Sequence, residues 1–188
     1  MTAGESLAAL LRERSVQFGD FVLSSGRRSP YYIDARKTTM SAEGQRLIGA
    51  LGLDAIREAG WTPVGVGGLT MGADPVAYAI ARASADAPPL VHAFSVRKAA
   101  KEHGTRQSIE GNFAAGDPVV VVEDVLTTGG SALQAIDAIR GAGGRILGVL
   151  VVVDRQQGGR QAVEASGFRV VALTTTQTIL GDSVTAEG

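Results

Sequence analysis

Apolar residues recur at two different spacings along the chain of 188 residues. Near the start, Leu7, Leu10 and Leu11 have the spacing of one helical face, which predicts a helix over residues 6–14. Residues 21–34 then contain two short apolar and aromatic runs around a glycine-containing turn, which predicts a hairpin of two strands.

From residue 41 onward, helical patterns alternate with short, continuous apolar runs. The predicted helices cover residues 41–59, 74–84 and 131–140, and the predicted strands cover residues 63–68, 90–96, 119–122, 146–154 and 170–175. Strands that are apolar on both faces are typical of a parallel sheet with helices on both sides. The pattern therefore predicts an α/β fold for residues 41–188, with a mostly parallel, twisted sheet flanked by helices, preceded by a smaller segment of residues 1–40.

The composition narrows the classes of protein that fit this pattern. Hydrophobic residues make up 45% of the chain, which is enough for a core, and the net charge of −1 gives no basic field for nucleic acid or an anionic membrane. There is no cysteine, so disulfides and cysteine-ligated zinc are excluded. No apolar run approaches the roughly 18 residues of a membrane span, and the N-terminus lacks signal-peptide features, so we expect a cytoplasmic protein.

The most informative stretch is VVVVEDVLTTGGS, in which a strand of four valines runs directly into Glu123 and Asp124. In doubly wound sheets, ligands bind outside the carboxyl ends of the strands, and both acids lie at such an end. The small residues that follow open a helix, whose amides and positive dipole end can bind a phosphate. No lysine follows, which excludes the loop of nucleotide triphosphatases.

We interpret the loop as a site for one phosphate and the acids as acceptors for sugar hydroxyls, because carboxylates repel a phosphate. Together they predict a ribose 5-phosphate site. The alternative is a strand, a polar turn and a helix cap without a ligand.

A second signal is a run of cations between two predicted strands, in residues 97–106. Arg97, Lys98, Lys101 and Arg106 lie there with His103. Long loops of this kind often serve as lids, and this one has the charge to bind a diphosphate leaving group. The alternative is a charged surface in contact with solvent only.

These motifs, taken together, resemble the orotate phosphoribosyltransferases of the type I phosphoribosyltransferase family. RKAAKEHG resembles the family's catalytic loop, VVVVEDVLTTGGS resembles its signature for 5-phospho-α-D-ribosyl 1-diphosphate (PRPP), and GGLTMGADPVA resembles its diphosphate loop. FGDFVLSSGRRSPYYID resembles an N-terminal hood over the base, and VVDRQQGG resembles a segment whose arginine holds orotate. The resemblance spans roughly residues 15–160 and implies the fold of that family, with residues 1–40 as a hood completed by C-terminal residues.

The resemblance implies specific site residues. Lys101, His103 and Asp124 are implied as catalytic. PRPP and its diphosphate are implied to contact Arg97, Lys98, Lys101, His103, Thr70, Met71, Gly72, Glu123, Asp124, Val125, Leu126, Thr127, Thr128, Gly129, Gly130 and Ser131. Orotate is implied to contact Ser24, Tyr32, Ile33, Thr127 and Arg155, although an ion pair between Arg155 and Asp154 is an alternative.

The implied reaction converts orotate and PRPP into orotidine 5′-monophosphate and diphosphate. Mg2+ is the implied cofactor, held by PRPP and water, with Asp124 as a candidate side-chain ligand. The implied assembly is a homodimer in which residues 97–106 act on the partner's site. A phosphoribosyltransferase for another base and a PRPP-sensing regulator are the alternatives.

The sequence also departs from the family. Met71 stands where many members have lysine in the diphosphate loop, and Ser24 stands where some have lysine. The aromatic pair that some members have at the base site is Tyr32 and Ile33 here.

Overall fold

The computed structural model describes residues 2–22, 28–98 and 108–181. Its helices are α1 (Ala3–Ser15), α2 (Arg36–Thr39), α3 (Ala42–Glu58), α4 (Ala73–Asp86), α5 (Gly130–Gly141), α6 (Gly159–Ala165) and α7 (Thr176–Leu180). Its strands are β1 (Val16–Val22), β2 (Arg28–Ile33), β3 (Gly65–Leu69), β4 (His92–Val96), β5 (Ile109–Gly111), β6 (Pro118–Leu126), β7 (Arg145–Asp154) and β8 (Val170–Thr175).

A six-stranded sheet with the order β5-β4-β3-β6-β7-β8 forms the centre of the protein. Every neighbouring pair is parallel except β4 and β5. The predicted α/β fold with a mostly parallel sheet is therefore confirmed. The chain moves from β3 to β4 on one side, and later returns to the other side of β3 with β6, so the topological switch point lies between β3 and β6.

Two apolar clusters cover the two faces of the sheet. One includes Leu11, Ile48 and Ile80 from α1, α3 and α4. The other includes Ile136 and Ile139 from α5. Because side chains alternate along a strand, β6 contributes Val120 and Val122 to the first cluster and Val119 and Val121 to the second.

The N-terminal part packs beside this sheet as a helix and a two-stranded antiparallel hairpin of β1 and β2. The hairpin was predicted within residues 21–34, but β1 already begins at Val16. On α1, Arg12 donates hydrogen bonds from Nη1 to the carbonyl oxygens of Ile179 and Leu180 in α7, at 3.1 and 3.0 Å. The division into a hood and a core stays a prediction.

Four short elements were not predicted from the sequence: α2, α6, α7 and β5. All are at most seven residues long. None of the helices that the structure describes combines the length and apolar character needed to span a membrane.

Candidate active site

A cleft of about 760 Å3 lies at the carboxyl ends of the parallel strands, beside the switch point between β3 and β6. Its wall is formed by the ends of these two strands, by the residue after β7, and by the hood at the end of β2. The lining residues are Val22, Tyr32, Ile33, Asp34, Ala35, Arg36, Leu69, Thr70, Met71, Gly72, Lys98, Glu123, Asp124, Val125, Thr127, Thr128, Ser131, Arg155 and Gln157. Segments that are far apart in sequence thus meet around one cavity, as expected for this class of sheet.

The two acids at the end of β6 form an electrostatically coupled pair. The side chain of Glu123 is buried and that of Asp124 is partly buried. Burial raises the pKa of Glu123 to about 9, and the negative charge of Asp124 adds to this rise. Burial also raises the pKa of Asp124. At neutral pH the pair therefore holds one proton, which Glu123 shares with Asp124.

The alternation of side chains along β6 gives the two acids different neighbours. Glu123 continues the row of Val119 and Val121, which faces α5, and it also lines the small cavity at the start of α5. Asp124 continues the other row, which faces α4, and its carboxyl lies against Gly72. A side chain at position 72 would place its Cβ 2.8 Å from Cγ of Asp124, so this position must be glycine for the acid to keep its place.

The loop after the acids has the geometry of an anion site. Gly129 has a φ of 87° and caps α5, and the exposed Thr128, Gly130 and Ser131 surround the first helical turn. A cavity of about 90 Å3 lies inside this loop. Gly159, at the start of α6, packs behind it: a Cβ there would lie 2.6 Å from the carbonyl oxygen of Thr127. The predicted residue Leu126 is buried in the core and also borders this small cavity, but it does not line the larger cleft.

The predicted diphosphate loop, Thr70 to Gly72, follows β3 and lines the same cleft. Its peptide bond between Thr70 and Met71 is cis. The side chain of Met71 is 60% exposed, and the loop has no charged side chain. A ligand diphosphate at this loop would therefore meet backbone amides and a thioether.

Arg155 follows β7 and lines the cleft from the other side. It is buried, with its guanidinium 5.4 Å from the ring centre of Tyr31. Within the described parts of the chain, its Nε and Nη2 have no hydrogen-bond partner. The alternative pairing of Arg155 with Asp154 is not present, because Asp154 accepts a hydrogen bond from Nε of Arg160 at 2.9 Å. A buried guanidinium with unpaired donors fits a ligand carboxylate.

The other predicted base contacts are only partly described. Tyr32 and Ile33 line the cleft, and Tyr32 is 39% exposed. Ser24 lies outside the described residues.

The two described residues of the predicted lid have different positions. Lys98 lines the cleft, and its positive charge lowers the pKa of Glu123, against the larger effect of burial. Arg97 instead forms an ion pair with Glu110 at 2.9 Å between Nη1 and Oε1. Lys101, His103 and Arg106 lie outside the described residues.

Sequence reasoning missed a charged pair on the hood side of the cleft. Nε of Arg36, the first residue of α2, donates a hydrogen bond to Oδ1 of Asp34 at 2.8 Å. This hydrogen bond lowers the pKa of Asp34. Both residues line the cleft, and the positive charge of Arg36 also opposes the rise in the pKa of Asp124. The sequence signal was the run DARK, which begins at Asp34, the last residue of the hood motif, and has no hydrophobic pattern that would place it beside the sheet.

Among the residues that the structure describes, no group of three or more His, Cys, Asp or Glu side chains could hold a metal ion. The carboxyl groups that line the cleft near the switch point are those of Glu123 and Asp124. Mg2+ prefers oxygen ligands and keeps several waters, so these residues fit an ion that a ligand carries in with its own oxygens.

The chain is similar to known proteins of one family. A model of the phosphoribosyl transferase domain matches residues 41–177. The orotate phosphoribosyltransferase of Aquifex aeolicus is 44% identical over 176 residues, which cover 92% of this chain and 95% of that protein. The Mycobacterium tuberculosis H37Rv orotate phosphoribosyltransferase is 48% identical over 165 residues, covering 87% of this chain and 88% of that protein.

The solved structures give the same result. The crystal structure of the M. tuberculosis orotate phosphoribosyltransferase in complex with PRPP has a TM-score of 0.81 at 39% identity, and the match covers 95% of this chain and 99% of that chain. The adenine phosphoribosyltransferase of Leishmania tarentolae, at 16% identity and a TM-score of 0.62, shares the fold alone.

Proposed function

Because the chain belongs to the phosphoribosyl transferase family, among the orotate phosphoribosyltransferases, we propose that it transfers the 5-phosphoribosyl group of PRPP to orotate. The products are orotidine 5′-monophosphate and diphosphate, in pyrimidine biosynthesis. The observation that carries this proposal is the convergence on one cleft of the acid pair, the glycine-rich loop and the buried Arg155.

The sugar end of the cleft suits the charges of the reaction. Breaking the bond between C1 of the ribose and the diphosphate builds positive charge on the sugar. The acid pair Glu123 and Asp124, which keeps one negative charge at neutral pH, accepts hydrogen bonds from the ribose hydroxyls and stabilises that positive charge. Thr127 to Ser131 bind the 5-phosphate at the start of α5. The 90 Å3 cavity in this loop supports the assignment.

At the base end, Arg155 pairs with the carboxylate of orotate, a group that uracil and the purines lack. Its unpaired Nε and Nη2 and its burial support this role. Tyr32, Ile33 and Ser24 complete the pocket around the ring.

Mg2+ would enter the cleft with PRPP and keep bound water, and Asp124 is the protein carboxylate that would help to hold it. When bound, the ion neutralises part of the charge on the leaving diphosphate.

Residues 97–106 form a lid that acts on the site of a partner subunit in a homodimer, although in the single chain Lys98 lines the cleft of its own subunit. Lys101 and His103, with Arg97 and Lys98, stabilise the leaving diphosphate. A mixture of two inactive variants, Lys101→Ala and Asp124→Asn, tests this arrangement, since a mixed dimer would contain one intact site. Recovered orotate consumption in the mixture is expected, and a mixture as inactive as each variant alone would rule out action in trans.

The reaction itself is tested by following orotate consumption spectrophotometrically with PRPP and Mg2+. Orotate is expected to disappear with equal release of diphosphate, while uracil and hypoxanthine give no nucleotide. Turnover of hypoxanthine or uracil in place of orotate would assign the chain to a different base.

A further inference from the structure

The charges around the cleft are distributed unevenly. Within the described part of the chain, Arg155 lies at the proposed base end of the cleft, buried against Tyr31. Lys98 lies close enough to Glu123 for its positive charge to lower the pKa of that acid. The diphosphate loop contributes only Thr70, Met71 and Gly72, without a charge. A diphosphate group carries several negative charges, so a cation from an element next to this loop would strengthen its binding there, in addition to the proposed lid and Mg2+.

Arg36 has the position and the free donors for this task. Its side chain is 49% exposed and lines the cleft from the hood side. Nε is occupied by Asp34 at 2.8 Å, which fixes the direction of the side chain. In the part of the chain that the structure describes, Nη1 and Nη2 have no partner, and these two groups can bind two oxygens of one anion.

The neighbourhood of Arg36 includes the diphosphate loop. Asp124 connects the two, because its carboxyl lies against Gly72 and is also within reach of the charge of Arg36. In addition, α2 is anchored to the start of α4, since Nε2 of Gln45 donates hydrogen bonds to the carbonyl oxygens of Thr39 and Pro75. Arg36 and the loop therefore belong to adjoining walls of one cavity.

We propose that Arg36 binds the diphosphate of PRPP through its Nη groups and supplies the positive charge that Met71 does not bring to the diphosphate loop. This inference rests on the proposed function. It makes the hood part of the leaving-group site as well as the cover of the base.

The test compares Arg36→Gln with Lys37→Gln. Both variants lose one positive charge at neighbouring exposed positions, but Lys37 does not line the cleft. Titration calorimetry measures binding of Mg2+-diphosphate and of PRPP, and steady-state assays give the KM of orotate. Removing a charged hydrogen bond should weaken diphosphate and PRPP binding about 10- to 100-fold in Arg36→Gln, and less than about 2-fold in Lys37→Gln.

Two further variants separate a binding role from a structural one. Arg36→Gln combined with Met71→Lys should regain at least about 3-fold of the lost diphosphate affinity, since it returns a cation to the same anion. Arg36→Lys should bind more tightly than Arg36→Gln. The KM of orotate and the melting temperature should stay near those of the wild type in every Arg36 variant.

Equal diphosphate affinity of Arg36→Gln and the wild type would overturn the inference, as would equal losses in Arg36→Gln and Lys37→Gln. No recovery on adding Met71→Lys would also overturn it. A wild-type protein that binds neither PRPP nor diphosphate would instead refute the proposed function, so the two failures are distinguishable.

Discussion

Replacing Glu123 by glutamine should stabilise the folded protein, and the gain should grow with pH. The pKa of Glu123 is raised from 4.5 to about 9, mainly by burial at the end of β6. Between these two values the folded state holds a proton that the unfolded state has lost, so the free energy of unfolding falls as pH rises. The slope is about 1.4 kcal/mol per pH unit. From pH 6 to pH 8, the wild type should thus lose about 3 kcal/mol relative to Glu123→Gln.

Thermal and urea unfolding of the protein without PRPP or Mg2+ measures this difference. For a domain of this size, about 3 kcal/mol corresponds to a difference in melting temperature that widens by about 5 to 10 °C between pH 6 and pH 8. Glu13→Gln, on the exposed face of α1, makes the same chemical change outside the site and should show no widening. A constant difference between Glu123→Gln and the wild type across this pH range would refute the assignment of a proton to the buried pair.

Three other predictions concern backbone and base contacts. In Gly72→Ala the backbone conformation, at φ −64° and ψ −41°, is one that alanine can adopt, so the melting temperature should change little. The added Cβ would displace the carboxyl of Asp124, so kcat/KM for PRPP should fall by about 10²-fold or more. Gly129→Ala, at a φ of 87°, should destabilise the protein by about 1–2 kcal/mol and raise the KM of PRPP, as measured by unfolding and steady-state assays. Arg155→Gln should raise the KM of orotate about 10- to 100-fold and leave that of PRPP unchanged. Arg145→Gln, at the exposed start of β7, should change neither KM.

Hydrophobic patterning was sufficient for the main elements of the fold because they are long and regular. The helix predicted over residues 41–59 is α3, and the strand predicted over residues 146–154 is β7. The short elements α2 and β5 could not be predicted, since four or three residues carry no periodic signal and their formation depends on tertiary contacts. The early start of β1 was missed for a related reason: only the pairing of Val16 with Ile33 shows that the strand begins there.

The candidate site was predictable where its residues are adjacent in sequence. Glu123, Asp124 and the loop to Ser131 form one uninterrupted motif, and the strand before them indicates the sheet edge. Contacts between distant segments could not be predicted. The clearest example is Gly72, whose missing side chain matters only because the carboxyl of Asp124, 52 residues away, lies against it.

Under the proposed function, the position of the acids on β6 would let one strand end contact both halves of PRPP. Consecutive residues of a strand face opposite sides of the sheet, so a pair of adjacent acids is divided between the two faces. Glu123 borders the cavity of the phosphate loop, and Asp124 borders the diphosphate loop at Gly72. A ribose bound across the strand end would therefore have its 5-phosphate on the side of Glu123 and its leaving group on the side of Asp124. Two acids spaced by two residues along β6 would face the same side and could not contact both loops. Adjacent acids therefore suit this site, although burial and, to a smaller extent, the neighbouring charge of Asp124 raise the pKa of Glu123.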